Sequence, residues 1–276
     1  MLHPPGIPPR ASPPARAVIL PKIPILRLVR HAYLDLLGNW RGLVEIGGLW
    51  LIAPWVLHAV DGLLPALLGD LALTAGIAAI AVAWHRRILL QEALPKRFAP
   101  LNAWVGRYLG YSVLVVMLAA APSLVLALLI ARTMGGEAGS EQGPGFLPLL
   151  LVTLAAFASL TVAIRLQLVF PAAAIDERGE TLRTSWRATR GNGWRLLAGV
   201  LLVSLPPAVA GMVLGTVLAV LSDASGSLVL SWLSQLAPIA AAWVQAPLLA
   251  AFLSFGYLFL RRQQEGPVAS PPAPQE

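Results

Sequence analysis

The chain has 276 residues, of which 57% are apolar and 12% charged; a soluble domain carries about a quarter charged residues. That deficit excludes an ordinary water-soluble globule, and the absence of cysteine excludes disulfides and thiolate metal sites. The net charge of +7 raises a nucleic-acid reading, but the basic residues flank apolar runs instead of forming one patch, which is how a bilayer orients a chain.

Residues 1–24 are rich in proline and lack apolar periodicity. They read as a disordered, partly polyproline-like tail, and no signal peptide is expected after Met1. In residues 25–41, Leu26, Val29, Tyr33, Leu36 and Trp40 recur at helical spacing, while Arg27, Arg30, His31 and Asp35 take other faces. The pattern predicts an amphipathic helix, too polar to span, that lies in the membrane interface. Gly38–Asn39 ends it, and Trp40–Arg41 marks the water boundary.

Six spans are predicted from runs long enough to cross about 30 Å of hydrocarbon. The first covers 42–60 and contains Pro54; the second covers 63–84 and stops at His85, Arg86 and Arg87. Residues 91–108 form a polar elbow with Lys96, Arg97, Trp104 and Arg107. The third span covers 108–131 with Pro122 near its middle, and a Gly-rich loop with Glu137 and Glu141 leads to the fourth, 146–171. A second elbow precedes the fifth span, 196–221, which holds Pro206 and Pro207. The last run, 228–260, is too long for one upright helix. Pro238 and Pro247 divide it, so a short outer helix or lid is expected at 228–237 and the sixth span at 239–260. Residues 263–276 are a polar tail, which leaves 25–262 as one membrane domain.

Eighteen of the twenty Lys and Arg residues fall in the tails and alternate loops on one side, and the opposite loops hold only Arg132. The asymmetry predicts six spans with both termini in the cytoplasm of a bacterial inner membrane. Trp40, Trp84, Trp104, Trp186 and Trp194 fall at the same inner boundary, as an aromatic belt does. The order also repeats. Tyr33 stands five residues before Gly38–Asn39, then Trp40–Arg41, then Pro54; Trp186 stands five before Gly191–Asn192, then Trp194–Arg195, then Pro206. Trp104, Arg107 and Pro122 are a weaker copy. The expected fold is therefore an all-α polytopic bundle of three hairpins with cytoplasmic amphipathic elbows. Proline in mid-span frees a carbonyl that must find a partner or line a cavity, as a packing kink or as a gate.

Candidate site residues concentrate between Ile164 and Leu197. Arg165 is the one arginine inside an apolar run, about six residues or roughly 9 Å of helix before the inner end at Pro171. It either snorkels to the interface or meets a buried partner, for which Glu45 lies at similar depth; Glu45 has Arg41 one turn before it as another partner. Arg183, Arg187 and Arg190 share one side of a predicted helix beside Ser185 and Trp186, with Gly191 and Trp194 following. This basic face suits orientation, an anionic inner leaflet, or both. Gly211 and Gly215, with the pairs Ala75/Ala79, Ala119/Ser123 and Ala155/Ser159, let helices approach closely within one chain or between two.

The segment Arg165…Phe170–Pro171, then Ser185–Trp186–Arg187, Thr189–Arg190–Gly191–Asn192 and Trp194–Arg195–Leu196–Leu197, resembles the six-helix membrane domain that accompanies some bacterial glycerophosphodiester phosphodiesterases. Tyr257, Arg261, Arg262, Glu265 and Gly266 are similar to that group's closing pattern. The resemblance implies the six-helix fold and no catalytic residue, since the phosphodiesterase barrel is missing. The four histidines are scattered without metal-ligand spacing, and no nucleophile elbow or phosphate loop is present. The expectation is a non-enzymatic, cofactor-free protein that binds anionic inner-leaflet headgroups or a protein partner at the cytoplasmic face, and no nucleic acid. A transporter or flippase-like conduit is the alternative, motivated by Arg165 and the proline-bearing spans.

Overall fold

The computed structural model describes residues 22–60, 62–134, 146–177 and 179–264. The expected terminal tails, apart from a few residues next to the membrane domain, and most of the Gly-rich loop before the fourth span lie outside them. Among the described residues every regular element is a helix. In chain order these are α1 (Ile25–Gly38), α2 (Trp40–His58), α3 (Leu63–Leu90), α4 (Ala103–Met134), α5 (Phe146–Leu166), α6 (Val169–Ala174), α7 (Leu182–Ala188), α8 (Gly193–Ser225) and α9 (Leu228–Gln264). Helices α3, α4, α8 and α9 are long and apolar enough to cross a membrane. The shortest of the four, with 28 residues, measures about 42 Å at 1.5 Å per residue. The chain is a multi-pass membrane protein.

Packing is lopsided along the bundle. The half that carries Arg86, Arg87, Arg107 and Arg261, called the basic half below, contains most of the buried core. There Ile80, Trp84, Leu248, Phe252, Leu196 and Val203 are shut off from the surface. Toward the other end the same helices turn apolar side chains outward, for example Leu63, Leu71, Val213, Val220, Leu228 and Val229. Surfaces of that extent are stable only in hydrocarbon. Helix α9 is central: it packs on α8, α3, α1, α2 and α6. Helix α2 packs mainly on α3, and α4 mainly on α5.

Three sequence expectations are corrected. First, α1, expected to lie in the membrane interface, packs along α8 and α9. Ile23, just before it, donates its amide to Asn192 Oδ1 at 3.0 Å, while ten residues later Tyr33 reaches the carbonyls of Leu202 and Val203. The helix therefore runs beside the first three turns of α8. The reason lies in Pro206 and Pro207 inside α8. Each lacks an amide hydrogen, so the carbonyls four residues earlier, Leu202 and Val203, lose their helical donors. The Tyr33 hydroxyl supplies a shared substitute at 3.3 Å to each.

Second, the fourth span does not continue to Pro171. Helix α5 ends at Leu166, and Gln167–Leu168 form a turn before the short, buried α6. Pro171 falls in the first turn of α6, where a missing amide costs nothing. The Arg165 carbonyl, released by the break, accepts instead from Ser185 Oγ at 2.9 Å and Thr189 Oγ1 at 3.3 Å.

Third, α9 runs unbroken through Pro238 and Pro247, so no separate lid forms at 228–237. In an apolar medium a helix that loses two donors leaves fewer polar groups bare than an unwound segment does. Gly211 and Gly215 pack α8 against this helix, with Ala237, Pro238 and Ala241 as their neighbours, so this pair works within one chain. Ser123 and Ser159, small residues on α4 and α5, share a 2.9 Å hydrogen bond between hydroxyls.

The first elbow also differs from a plain polar helix. Residues 91–102 are non-helical and turn back along α2: Leu94 covers Gly42, and the Ala99 amide donates to the Ile46 carbonyl at 2.9 Å. The Trp50 indole donates to the Ala99 carbonyl at 3.0 Å. These bonds satisfy the irregular backbone inside the protein, as such a segment at depth requires. Asn102 then caps α4, its Oδ1 accepting from the Trp104 and Val105 amides at 3.1 Å each.

Candidate functional site

The second elbow is built from the sequence of α7. Thr181 and Thr184 form a reciprocal capping box that starts the helix. Seven residues later the chain must turn, and Gly191 supplies the turn with φ +78, a conformation that side chains with a Cβ resist. Ser185 and Thr189, four residues apart, are fully buried and clamp the elbow onto the Arg165 carbonyl.

The Arg165 side chain completes the clamp. Its guanidinium lies 3.9 Å over the Trp186 ring, and Nη2 donates to the Trp186 carbonyl at 3.1 Å. Its Nε is buried without a hydrogen-bond partner among the described residues. The expected partner Glu45 is exposed on α2 and takes no part in the ion pairs of the described residues. Trp186 takes that role because the break after Leu166 turns Arg165 toward α7, and a stacked cation avoids the cost of burying two opposite charges.

A cavity of about 420 Å³ opens beside this clamp, where α5 meets the turn into α8. Its polar wall holds Arg165, Arg190, Thr161 and Thr189, with the backbone at Gly191 and Gly193. Its apolar wall holds Phe157, Trp194, Ile164 and Leu197, and the Phe157 and Trp194 rings meet at a tilt of 40° with centroids 5.1 Å apart. Gly193 is the first residue of α8, and no side chain caps the amides of that helix start. They carry the positive end of the helix dipole, worth about half a charge.

Charge balance divides the arginines of the basic half: some are neutralised by the chain's own carboxylates, and others, among them Arg27, Arg30, Arg41, Arg97 and the arginines of this elbow, have no carboxylate partner among the described residues. Arg86 pairs with Glu92 through two bonds of 2.7 and 2.5 Å. Arg87 donates to both oxygens of Asp35 at 2.8 and 2.9 Å, and the Trp84 indole donates to the same carboxylate at 2.8 Å. Arg107 pairs with Asp176. Tyr257 and Arg261 both donate to Glu177 Oε2, at 2.7 and 2.8 Å. Arg165, Arg183, Arg187 and Arg190 have no carboxylate partner among the described residues. Arg86 is the informative comparison. It too lies near the end of an apolar helix and sits over a tryptophan, Trp104, at 3.8 Å, but Glu92 neutralises it.

Of the residues singled out in the sequence, the cavity gathers Arg165, Arg190, Gly191 and Trp194. Trp186 and Ser185 stand behind it as the clamp. Arg183 and Arg187 are exposed on the elbow surface outside the cavity lining. Pro171, Glu45, Tyr257 and Arg261 lie elsewhere. Tyr257 and Arg261 tie the loop after α6 to α9 through Glu177, a residue that its unremarkable sequence context did not single out.

Family models, curated proteins and solved structures offer no match to this chain.

Phe157 and Thr161 were missed because they lie in an apolar run with nothing local to mark them. Their helical spacing to Arg165, at eight and four residues, is the signal that places all three on one face. The buried His85–Ser254 pair, 2.7 Å apart, was also missed. Both residues are fully buried, so neither can meet a substrate from the membrane or from water. Among the described residues no cluster of His, Asp and Glu has metal-binding geometry.

Proposed function

We propose that this chain is a non-enzymatic protein of a bacterial inner membrane that organises anionic lipid at its cytoplasmic face. Six spans arranged as three hairpins accommodate the chain: α2 with α3, α4 with α5, and α8 with α9. Helix α2, with 19 residues, and α5, with 21, join the four longer helices; at 1.5 Å per residue they cover about 28 and 31 Å. The cationic bias of alternate loops supports both termini in the cytoplasm. The Ser185–Trp186–Arg187 segment resembles that of the six-helix domains that accompany some glycerophosphodiester phosphodiesterases, and the resemblance supports the six-span arrangement.

The observation that carries the lipid reading is the set of uncompensated arginines. The protein neutralises Arg86, Arg87, Arg107 and Arg261 with its own carboxylates; Arg183, Arg187 and Arg190 on the second elbow, like Arg27, Arg30, Arg41 and Arg97 nearer the N-terminus, have none among the described residues. An anionic leaflet attracts each such residue by about 1 kcal/mol. In nanodiscs of mixed phosphatidylglycerol and phosphatidylcholine, the full chain enriches the anionic lipid around itself. Replacing Arg183, Arg187 and Arg190 together by Gln removes most of that enrichment; an unchanged lipid composition would count against the reading. Reporter fusions within 178–190 that are active only outside the cytoplasm would overturn the orientation.

The conduit is the second reading. Its support is that α8 borders two cavities, the one at Arg165 and another of about 430 Å³ lined by Gly211, Gly215 and Gln245, with Pro206–Pro207 between them. Lipid scrambling in proteoliposomes that depends on Pro206 and Pro207 would favour it.

A further inference from the structure

Resting on the lipid reading above, we propose that the cavity between α5 and the start of α8 is a built site for one glycerophospholipid, held by its phosphodiester. The polar wall offers donors suited to a single oxyanion. Arg165 is fixed by its stack on Trp186 and its bond to the Trp186 carbonyl, and its Nη1 makes no hydrogen bond to the described residues. Arg190 faces the same space, and the uncapped amides at Gly193 and Trp194 begin a helix of 33 residues. Guanidinium groups and helix-start amides are the usual protein ligands of phosphate oxygens.

The threonines shape the wall more than they bind. Thr161 Oγ1 donates to the Phe157 carbonyl at 2.9 Å, and Thr189 Oγ1 is committed to elbow carbonyls. The charge at the site is therefore cationic, with no carboxylate in the lining. The opposite wall decides between a free phosphate and a lipid. Phe157, Trp194 and Leu197 offer aromatic and aliphatic surface that a hydrated inorganic ion does not use. Trp194 is 65% exposed although its ring packs on Phe157, and it stands where a headgroup meets its acyl chains. The geometry thus selects an amphiphile: the phosphodiester lies between Arg165, Arg190 and Gly193, and the glycerol and acyl chains follow Trp194 and Phe157 outward between α5 and α8.

The test is native mass spectrometry of the full chain in detergent, titrated with phosphatidylglycerol, phosphatidylcholine or inorganic phosphate. Phosphatidylglycerol is expected to leave one tightly retained molecule. Arg190→Gln weakens that retention about tenfold or more, and Arg183→Gln, outside the cavity, leaves it within about twofold. Thr161→Trp fills the cavity without removing a charge and abolishes retention, which keeps the site testable if Arg165→Gln loosens the elbow. Retention of one lipid with unchanged affinity in Arg190→Gln and Thr161→Trp would overturn the site, although anionic enrichment around the protein would survive. Loss of every preference for phosphatidylglycerol in the unmodified chain would sink both readings. Inorganic phosphate that displaces the lipid at equal concentration would overturn the choice of a lipid.

Discussion

Replacing Tyr33 by Phe removes one hydroxyl and deletes the shared donor to the Leu202 and Val203 carbonyls. A hydrogen bond contributes about 1 kcal/mol net, and an interhelical one in a membrane protein averages about 0.6 kcal/mol. Both contacts are 3.3 Å long and share one hydrogen, so the expected cost is about 1 kcal/mol. The attribution rests on Pro206 and Pro207, which is what a double-mutant cycle measures. In a Pro206→Ala/Pro207→Ala background the restored amides bond back to the same two carbonyls, and Tyr33→Phe then costs less than about 0.3 kcal/mol. Reversible unfolding in mixed micelles, followed by tryptophan fluorescence, reads both backgrounds. Equal costs for Tyr33→Phe in the two would refute the argument that α1 stands beside α8 to serve the proline-freed carbonyls.

Four further outcomes are expected. Asp35→Asn leaves Arg87 without its partner, half-buried between α1 and α3, and lowers unfolding free energy by about 2 kcal/mol; Asp70→Asn, at the exposed His58 pair, changes it by less than about 0.5 kcal/mol. Gly199→Ala places a methyl group against the buried Phe252 ring and costs about 1–3 kcal/mol, much of which Phe252→Leu in the same chain restores. Gly211→Leu separates α8 from α9 at Ala241; its unfolding midpoint falls while the oligomeric state by light scattering stays unchanged. Burial raises the Tyr33 phenol above its ordinary value of 10. A group held neutral in the fold while the unfolded chain ionises loses stability as pH rises through and above that value. Unfolding measured between pH 8 and 11, a range of roughly one to two units either side of the tyrosine reference, therefore shows a steeper loss in the unmodified chain than in Tyr33→Phe.

Much of the fold is legible in the sequence because a bilayer imposes one-dimensional rules. Length and hydropathy of a run are local quantities, and α3, α4 and α8 begin or end within a few residues of the runs that announced them. The elbow signals are local too. Asn39, Asn102 and Asn192 each stand directly before a helix, and Asn39 and Asn192 share nearly the same backbone angles. The repeated order Asn–Trp–Arg or Asn–Gly–Trp–Arg is visible without coordinates.

The partners were not legible, because each is chosen across a large separation in the chain. Asn192 turns its side-chain oxygen to Ile23 and so leaves the start of α8 uncapped. Arg165 exchanges a carboxylate that sequence depth suggested for the face of Trp186. Pro238 and Pro247 read as breaks, since proline breaks helices in water, yet α9 continues through both. Composition and charge order alone determined that this chain is helical, membrane-embedded and cationic at the flanks of its apolar runs, because burying a polar backbone in hydrocarbon permits few alternatives. Only the tertiary structure decided which arginines are neutralised and which remain open beside a cavity, because that depends on side chains that meet after the helices have packed.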